Sequence, residues 1–458
     1  MRYAGIVTTL AALATAVLAQ DLTQPKAAWE QMQREVASAR AKRDWNKARS
    51  LSATRTKEFL AAWDKSGSTA KGEQRFYLGE FLLAGGRYVE ALDAFQACAG
   101  NQTLDGALRN QARVRFAGAL SSALLGKKIE TRAAEARLKW AEAEVDAIEG
   151  EAQDRARATL HNYLGRCCDQ LHRKQPAIDH WMAAARAYPG YAYSAARSVI
   201  WKLMEGVHEL DAYPALRERG NKLLAELVEL QEKQVASLRE AGPGQEKALA
   251  SAERILERMR SMGKPLEMLG KPAPDWTLVH AFSKTRSLEE LRGKVVVADF
   301  WATWCGWCVR SFPAVRDLLR DYKGKGLAFV GVTASASYVT DQRYTLDEDM
   351  KPKVATAPAP VNLRRPQNAT EAQLAEFKVQ ERKLIEAFLK NHEVTWDVVM
   401  IDESEPSAKY ALTGWPHAIV LDRKGRVRYF KRGALLRDRP EAVAKFRAVL
   451  DALLAEKD

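Results

Sequence analysis

The sequence is poor in the features that build metal centres and membrane domains. It holds five cysteines and seven histidines among 458 residues, and Cys305 and Cys308 are the only Cys-x-x-Cys pair. A structural zinc site ordinarily takes four such ligands, so half of a zinc site is a weak interpretation of this pair. We therefore predict no metal and no cofactor. Beyond residues 4–18 there is no second long hydrophobic run, which excludes a bundle of membrane-spanning helices.

The sequence also lacks a concentrated basic patch, although its net charge is +13. Lysines and arginines are spread among glutamates and aspartates, as on a solvated helical surface. Nucleic-acid binding is therefore not expected, and attraction to an anionic membrane or wall surface is the alternative.

Residues 1–19 have the pattern of a signal peptide. Arg2 gives a basic start, residues 4–18 are apolar, and Val-Leu-Ala before Gln20 resembles a cleavage site. This pattern predicts export and a mature chain without a membrane anchor.

Residues 20–262 have few prolines and no strand-like alternation, which predicts a helical domain. Two windows resemble tetratricopeptide repeats, whose small residues let paired helices approach while one large ring fills the gap. The matching positions are Leu164, Gly165, Ala177, Trp181, Ala184 and Pro189, and Leu78, Gly79, Gly86, Tyr88, Ala91 and Phe95. We predict a degenerate tetratricopeptide-like solenoid that binds a peptide or protein ligand. A spacer or dimerisation element is the alternative.

The other three cysteines fall on this helical domain. Cys98 and Cys168 occupy packing positions of the two windows, so buried packing is the favoured interpretation for Cys98, Cys167 and Cys168. A bridge from Cys98 to one of the other two is the alternative. The odd total leaves at least one cysteine unpaired.

Cys305 and Cys308 lie where a strand is followed by a helix. Residues 295–298 are typical of a buried strand, and an apolar period through Phe312, Val315 and Leu318 indicates a helix. This arrangement places Cys305 at the first turn and both sulfurs on one helical face, close enough to bridge. The helix N-terminus favours a thiolate on Cys305. The pair is therefore predicted to be a reversible dithiol.

Three separated motifs resemble the thioredoxin family, and in particular its bacterial TlpA/ResA-type branch. They are Asp-Phe-Trp-Ala-Thr-Trp-Cys-Gly-Trp-Cys (299–308), Gly-Lys-Pro-Ala-Pro-Asp-Trp-Thr-Leu (270–278) with Ser-Leu-Glu-Glu-Leu-Arg-Gly-Lys-Val-Val-Val (287–297), and Tyr-Ala-Leu-Thr-Gly-Trp-Pro-His-Ala-Ile-Val-Leu-Asp (410–422). The resemblance implies an α/β thioredoxin-like fold from about residue 268 onward. It also implies a periplasmic or secreted location.

The same resemblance implies a mechanism. Cys305 would attack a substrate disulfide and Cys308 would resolve the mixed disulfide, with Asp299 as its general base. A merely hydrogen-bonded core acid is the alternative for Asp299. Pro416 would adopt a cis peptide bond beside the dithiol, and Trp415 would bind an extended substrate.

Trp304 and Trp307 are further candidates for substrate binding. The expected partners are protein thiols or disulfides and an upstream electron donor or acceptor protein. Gly306-Trp307 and His417 differ from the usual family residues, which leaves the direction of electron flow open. Asp299 is thioredoxin-like and favours reduction. A redox-inactive or redox-gated binding scaffold is the alternative function, and a peroxidase is weaker because no lone peroxidatic cysteine precedes a resolving one.

The predicted organisation is thus multi-domain: a signal peptide (1–19), an all-α tetratricopeptide-like solenoid (20–262) and an α/β thioredoxin-like domain (263–458). Residues 335–367 hold four prolines among charged residues and are predicted to be a flexible insertion without secondary structure. A helix over residues 370–391 follows it.

Overall fold

The computed structural model describes residues 24–148, 153–205, 207–335, 338–341, 344–346, 352–354, 361–366, 368–410, 412 and 414–456. The predicted signal peptide lies outside these residues. Within them, no helix combines the length and the apolar character needed to cross a membrane. The chain forms two compact units: unit 1 is Met1–Val199 with Leu227–Ala252, and unit 2 is Ile200–Glu226 with Glu253–Asp458.

Unit 1 is helical in its described residues. Its helices are α1 (Pro25–Ala41), α2 (Trp45–Ser66), α3 (Glu73–Ala84), α4 (Tyr88–Ala99), α5 (Gly106–Leu125), α6 (Thr131–Ala143), α7 (Asp154–Gln170) and α8 (Lys174–Ala187). Helices α9 (Ala192–Met204), α10 (Tyr213–Glu240) and α11 (Glu246–Arg260) contribute residues to both units. Asp44 and Asp105 start α2 and α5, because each carboxylate accepts a hydrogen bond from a backbone N–H in the first turn.

In both predicted repeat windows, a glycine of one helix faces an aromatic ring of the next. A Cβ added to Gly79 of α3 would lie 2.8 Å from Cε1 of Phe95 in α4, and one added to Gly165 of α7 would lie 2.6 Å from Cδ1 of Trp181 in α8. Both distances are too short for a real carbon contact, so these helix pairs approach as closely as they do because the residue is glycine. The predicted packing is confirmed at both places. The assignment to tetratricopeptide repeats stays a prediction.

We expect Gly165→Ala to destabilise unit 1, because the added methyl group would overlap the Trp181 ring. Overpacking of this kind costs about 1–3 kcal/mol, which exceeds the gain of about 0.5–1 kcal/mol from replacing a helical glycine. Gly106→Ala is the matched control, since the nearest atom to its added Cβ is 4.0 Å away. Thermal unfolding of the full-length variants tests this. Equal stability of the Gly165 variant and the natural chain would contradict the close approach.

The strands of unit 2 are β1 (Leu278–Ala281), β2 (Val295–Phe300), β3 (Leu327–Ala334), β4 (Tyr338–Asp341), β5 (Tyr344–Leu346), β6 (Pro352–Val354), β7 (Val361–Arg364), β8 (Asp397–Ile401), β9 (His417–Leu421) and β10 (Val427–Arg432). Six of them form a mixed sheet in the order β1–β8–β3–β2–β9–β10. In this sheet β2, β3 and β8 are parallel, and the other three pairings are antiparallel. Helix α12 (Lys264–Met268) precedes β1. The later helices are α13 (Gly306–Asp321), α14 (Glu371–Asn391), α15 (Glu405–Ala408) and α16 (Pro440–Ala455).

One buried cluster joins this sheet to α13, α14 and α16. It contains Val297 and Val420 from the sheet, Phe312 from α13, Phe388 from α14 and Leu450 from α16. Cys305 and Cys308 belong to the same cluster. The dithiol is therefore built into the main core of unit 2, which holds it in a fixed position.

The segment 335–367 is more structured than predicted. Among its described residues, β4 pairs with β7 and β5 pairs with β6, both antiparallel. The prediction of a segment without secondary structure is therefore wrong for these residues. The four prolines obscured the short strands, because proline breaks the alternation from which strands are recognised. The following helix, α14, runs from Glu371 to Asn391, as predicted, and it starts with a capping box between Thr370 and Gln373.

The predicted domain boundary after residue 262 also differs from the structure. Residues 200–226 and 253–262 belong to unit 2. Two hydrogen bonds show why: Tyr213 Oη donates to the carbonyl oxygen of Arg428, and the Arg428 side chain donates to the carbonyl oxygen of His208 at 2.6 Å. Helical periodicity identified these residues as helix, but periodicity does not indicate which core a helix joins.

Candidate active site

The two cysteines of the Cys-x-x-Cys pair lie at the start of α13, as predicted. β2 ends at Phe300, Cys305 is the N-cap residue of α13, and Cys308 lies in its first turn. Their sulfurs are 2.11 Å apart, so they form a disulfide, with the Cα atoms 5.2 Å apart. The Cys305 sulfur also accepts a hydrogen bond from the backbone N–H of Cys308 at 3.2 Å. This N–H and the helix N-terminus favour negative charge on the Cys305 sulfur once the disulfide is reduced.

The two cysteines differ in accessibility. Cys305 is 6% exposed and Cys308 is 1% exposed. An incoming substrate therefore reaches Cys305 first, while Cys308 is positioned to react only with its neighbour.

Aromatic side chains surround this end of α13. Trp304 and Trp307 are 42% and 53% exposed, and Trp415 is half-buried. The Trp304 and Trp415 rings meet edge to face with centroids 6.2 Å apart, and the Arg310 guanidinium lies 4.6 Å from the Trp307 ring centroid. Exposed tryptophans on a rigid scaffold form an apolar contact surface.

Asp299 lies on the face of β2 that α13 covers. Side chains alternate along a strand, and Val295 and Val297 pack in the cluster that contains Cys305 and Cys308. Asp299 follows on the same face, opposite Gly331 of β3 on one side and Ala418 of β9 on the other. Burial raises the pKa of its carboxyl to about 7. This carboxyl can therefore accept or release a proton near neutral pH.

Lys431 is a part of this site that the sequence did not reveal. It pairs with Ala418 on β10, so Asp299, Ala418 and Lys431 form one row across three strands, on the same face of the sheet. Burial lowers the pKa of Lys431 to about 8, and its positive charge works against the rise in the pKa of Asp299. No motif marks Lys431, because its place beside Asp299 depends on the register of two strand pairings between segments far apart in sequence.

The predicted cis peptide bond is present between Trp415 and Pro416. Pro416 is buried immediately before β9. His417, the next residue, faces the other side of the sheet from Ala418, where its ring lies 5.1 Å from that of Trp201. Burial lowers the pKa of His417 to about 3, so the ring is uncharged near neutral pH. His417, which differs from the usual family residue, therefore packs against Trp201 of α9. This contact was not predicted from the sequence.

The other three cysteines are free thiols buried in unit 1, which confirms the packing interpretation for Cys98, Cys167 and Cys168. Burial raises the pKa of Cys98 to about 11 and that of Cys168 to about 12. None of the three is therefore a reactive thiolate near neutral pH.

The mixed sheet and the dithiol at the start of α13 define unit 2 as a thioredoxin-like domain. Its residues 269–430 match the AhpC/TSA family model. They contain no cysteine besides Cys305 and Cys308. The C-terminal region thus contains an AhpC/TSA domain.

Individual relatives confirm the predicted resemblance to ResA-type proteins. Thioredoxin-like protein YneN of Bacillus subtilis (strain 168) is 26% identical over 172 residues, which are 38% of this chain and 76% of YneN. Thiol-disulfide oxidoreductase ResA of Bacillus cereus is 31% identical over 87 residues, which are 19% of this chain and 50% of ResA. The chain thus spans about half the length of that ResA.

Among solved structures, a putative thiol:disulfide interchange protein DsbE from Chlorobium tepidum is 22% identical. The match covers 40% of this chain and 97% of the DsbE chain, with a TM-score of 0.25. The fold assignment does not depend on this similarity, because the strand order and the position of the dithiol already establish it.

Proposed function

We propose that the protein is an exported thiol–disulfide oxidoreductase that exchanges disulfides with protein substrates through Cys305 and Cys308, acting as a reductase. The observation that carries the proposal is the disulfide at the N-terminus of α13. Cys305 is the more exposed of its two residues, and the Asp299 carboxyl, whose pKa is raised, lies on the sheet face beneath the helix. Each part has a separate chemical task in a two-step exchange.

In the first step, the reduced Cys305 thiolate attacks one sulfur of a substrate disulfide. A bond forms between Cys305 and that sulfur, and the second substrate sulfur leaves as a thiolate and takes up a proton. The Cys308 N–H stabilises the attacking thiolate beforehand, since it already donates to the Cys305 sulfur at 3.2 Å.

In the second step, the Asp299 carboxylate takes the proton of the Cys308 thiol. The Cys308 thiolate then attacks the Cys305 sulfur, the first substrate sulfur leaves as a thiolate that takes up a proton, and the Cys305–Cys308 disulfide forms. The substrate has gained two electrons and two protons. An acid whose pKa is about 7 suits this transfer, because both of its protonation states are populated at the working pH.

Substrate binding falls to the surface formed by Trp304, Trp307 and Trp415 next to Cys305. Two of these rings are exposed, and they offer apolar area to an extended chain without the entropy cost of long flexible side chains. The reductase needs an upstream protein as electron donor. The helical unit recruits a peptide or protein ligand in this proposal, and the signal-peptide pattern of residues 1–19 directs the chain to the periplasm or outside the cell.

The test is a redox titration of the full-length protein in defined thiol buffers, followed by the fluorescence of Trp304 and Trp307. These rings flank the dithiol, so reduction should change their emission. A reductase is expected to show one reversible two-electron transition with a midpoint below about −200 mV, in the range of thioredoxins and glutaredoxins.

The Cys98→Ser variant is the control, because it removes a buried thiol of unit 1, leaves Cys305 and Cys308 in place and should give the same midpoint. A midpoint near −120 mV would make the protein an oxidant. The absence of any reversible transition would contradict the exchange activity and favour the binding scaffold.

A further inference from the structure

Unit 1 brings together three side chains that bind transition metals. Glu142 near the end of α6, Cys168 in α7 and His180 in α8 offer one ligand atom each, and these atoms all lie within 4.8 Å of one another. His180 Nε2 is 3.5 Å from Glu142 Oε1, and Cys168 Sγ is 3.9 Å from the same oxygen. A carboxylate, a thiol and an imidazole thus converge from three helices.

These separations match those that a single tetrahedral ion imposes. Zinc–ligand bonds of about 2.3 Å to sulfur and about 2.0–2.2 Å to nitrogen or oxygen place neighbouring ligand atoms about 3.4–3.6 Å apart. The two separations of 3.5 Å and 3.9 Å are within a few tenths of an ångström of this range. Small side-chain rotations suffice to close the site around an ion.

A second histidine, His161, contacts the His180 ring. His161 Nδ1 lies 3.0 Å from His180 Nδ1. When His180 donates its Nδ1 proton to His161, the lone pair of His180 Nε2 is left for a metal. Metal-binding histidines almost always donate their other ring nitrogen to such a partner, which fixes both the tautomer and the ring orientation.

We propose that Glu142, Cys168 and His180 form a binding site for a divalent transition metal of intermediate softness, represented by Zn²⁺, with His161 as the positioning residue. Mixed sulfur, nitrogen and oxygen ligands favour such an ion over Mg²⁺ or Ca²⁺. Binding forms a metal–sulfur bond and releases the Cys168 proton to water. A water molecule completes the fourth position, as is usual with three protein ligands. The proposal does not depend on the dithiol chemistry of unit 2.

The charge of the site is balanced by this composition. One carboxylate and one thiolate neutralise a divalent ion. Arg173 now contributes a positive charge, because its Nη1 lies 3.4 Å from Glu142 Oε1. Its side chain is 41% exposed, so it can turn into solvent when a metal takes its place.

The test is a Co²⁺ titration of the oxidised full-length protein, whose Cys305 and Cys308 sulfurs are already paired with each other. The expected result is binding of one Co²⁺ per chain with a thiolate-to-cobalt charge-transfer band in the near ultraviolet. Zn²⁺ should remove that band by displacement.

Variants locate the site. Cys168→Ser should abolish the band, whereas Cys167→Ser should leave it unchanged, since the neighbouring Cys167 sulfur faces the Ala117 carbonyl oxygen instead. His180→Ala should remove the band or weaken Co²⁺ binding at least tenfold. His161→Ala should keep the band but weaken binding by about 10–100-fold, as loss of a positioning partner does.

Circular dichroism shows whether each variant is folded, and His180→Ala serves as the deciding variant if Cys168→Ser loses its helical signal. The proposal is overturned if the natural chain gives no band at saturating Co²⁺, or if a folded Cys168→Ser keeps it. It is equally overturned if Cys167→Ser loses the band as completely as Cys168→Ser, because the bound sulfur would then not be that of Cys168.

Discussion

Replacing Cys305 with serine is expected to abolish disulfide reduction. A serine hydroxyl does not attack a disulfide, and the next nearest thiol, Cys308, is only 1% exposed and cannot take over. Loss of a nucleophile of this kind lowers the rate by roughly 10⁴–10⁶-fold. Turnover of a protein disulfide substrate in the presence of a thiol reductant measures the effect.

Cys308→Ser is the informative companion to Cys305→Ser. Its Cys305 thiolate can still attack, but no thiol remains to resolve the product, so mixed disulfides with substrates should accumulate. They are visible on non-reducing gels and vanish with dithiothreitol. The matched control is Cys98→Ser, which should turn over normally and trap nothing. If Cys305→Ser retained full activity, or if the two active-site variants trapped equally, Cys305 would not be the nucleophile.

Replacing Asp299 with asparagine is expected to stabilise unit 2 in alkaline solution while slowing the reaction. The pKa of Asp299 is about 7 in the folded protein, against an ordinary value of 3.8. The folded state therefore holds this proton more tightly than the unfolded state, and its stability falls as the pH rises from about 4 to about 7. Above that range, the ionised buried carboxylate costs roughly 3–5 kcal/mol, a cost that a neutral asparagine side chain would not carry.

Thermal unfolding between pH 4 and pH 9 tests the sign of this effect. The advantage of Asp299→Asn should be absent near pH 4, grow up to about pH 7 and then stay constant. Asp321→Asn is the matched control, because the Arg447 side chain holds the pKa of Asp321 below its ordinary value of 3.8. This variant should lose stability rather than gain it, and the loss should hardly change above about pH 5. A stability difference for Asp299→Asn that does not change with pH would contradict a buried carboxyl that titrates near pH 7.

The same Asp299 variant should resolve mixed disulfides roughly 10²-fold more slowly or worse, because Cys308 loses its general base. The attack by Cys305 should be unaffected, which separates this role from general damage to the fold. Lys431→Met offers a second readout. Removing its positive charge should raise the pKa of Asp299 further and shift the pH dependence of the resolving step to higher pH.

Much of this site was predictable because its parts are local in sequence. The spacing of Cys305 and Cys308 between a strand and a helix fixes their geometry, whatever surrounds them. Asp299 is only six residues before Cys305, and strand alternation alone indicates the face it occupies once Val295 and Val297 are taken as core. The cis bond before Pro416 came instead from family resemblance, since most X–Pro bonds are trans.

The parts of the fold and the site that the sequence does not predict depend on contacts between residues that are far apart in sequence. Lys431 joins Asp299 through the register of two strand pairings, and His417 meets a helix that precedes it by more than two hundred residues. Glu142, Cys168 and His180 come from three helices, and nothing in their spacing resembles a metal-binding motif. Helix and strand periodicity describes each element alone. Contacts between elements are therefore seen only in the folded chain.

The packing of residues 200–226 against the C-terminal sheet limits where the chain can be cut into fragments that fold. The Arg428 side chain is fully buried, and two of its nitrogens donate to the carbonyl oxygen of His208. A gene fragment that starts at residue 263 would encode the whole dithiol motif and yet leave this guanidinium without that acceptor. The compact unit that contains the dithiol is therefore discontinuous in sequence, and a fragment that starts at residue 263 lacks residues 200–226 and 253–262 of it.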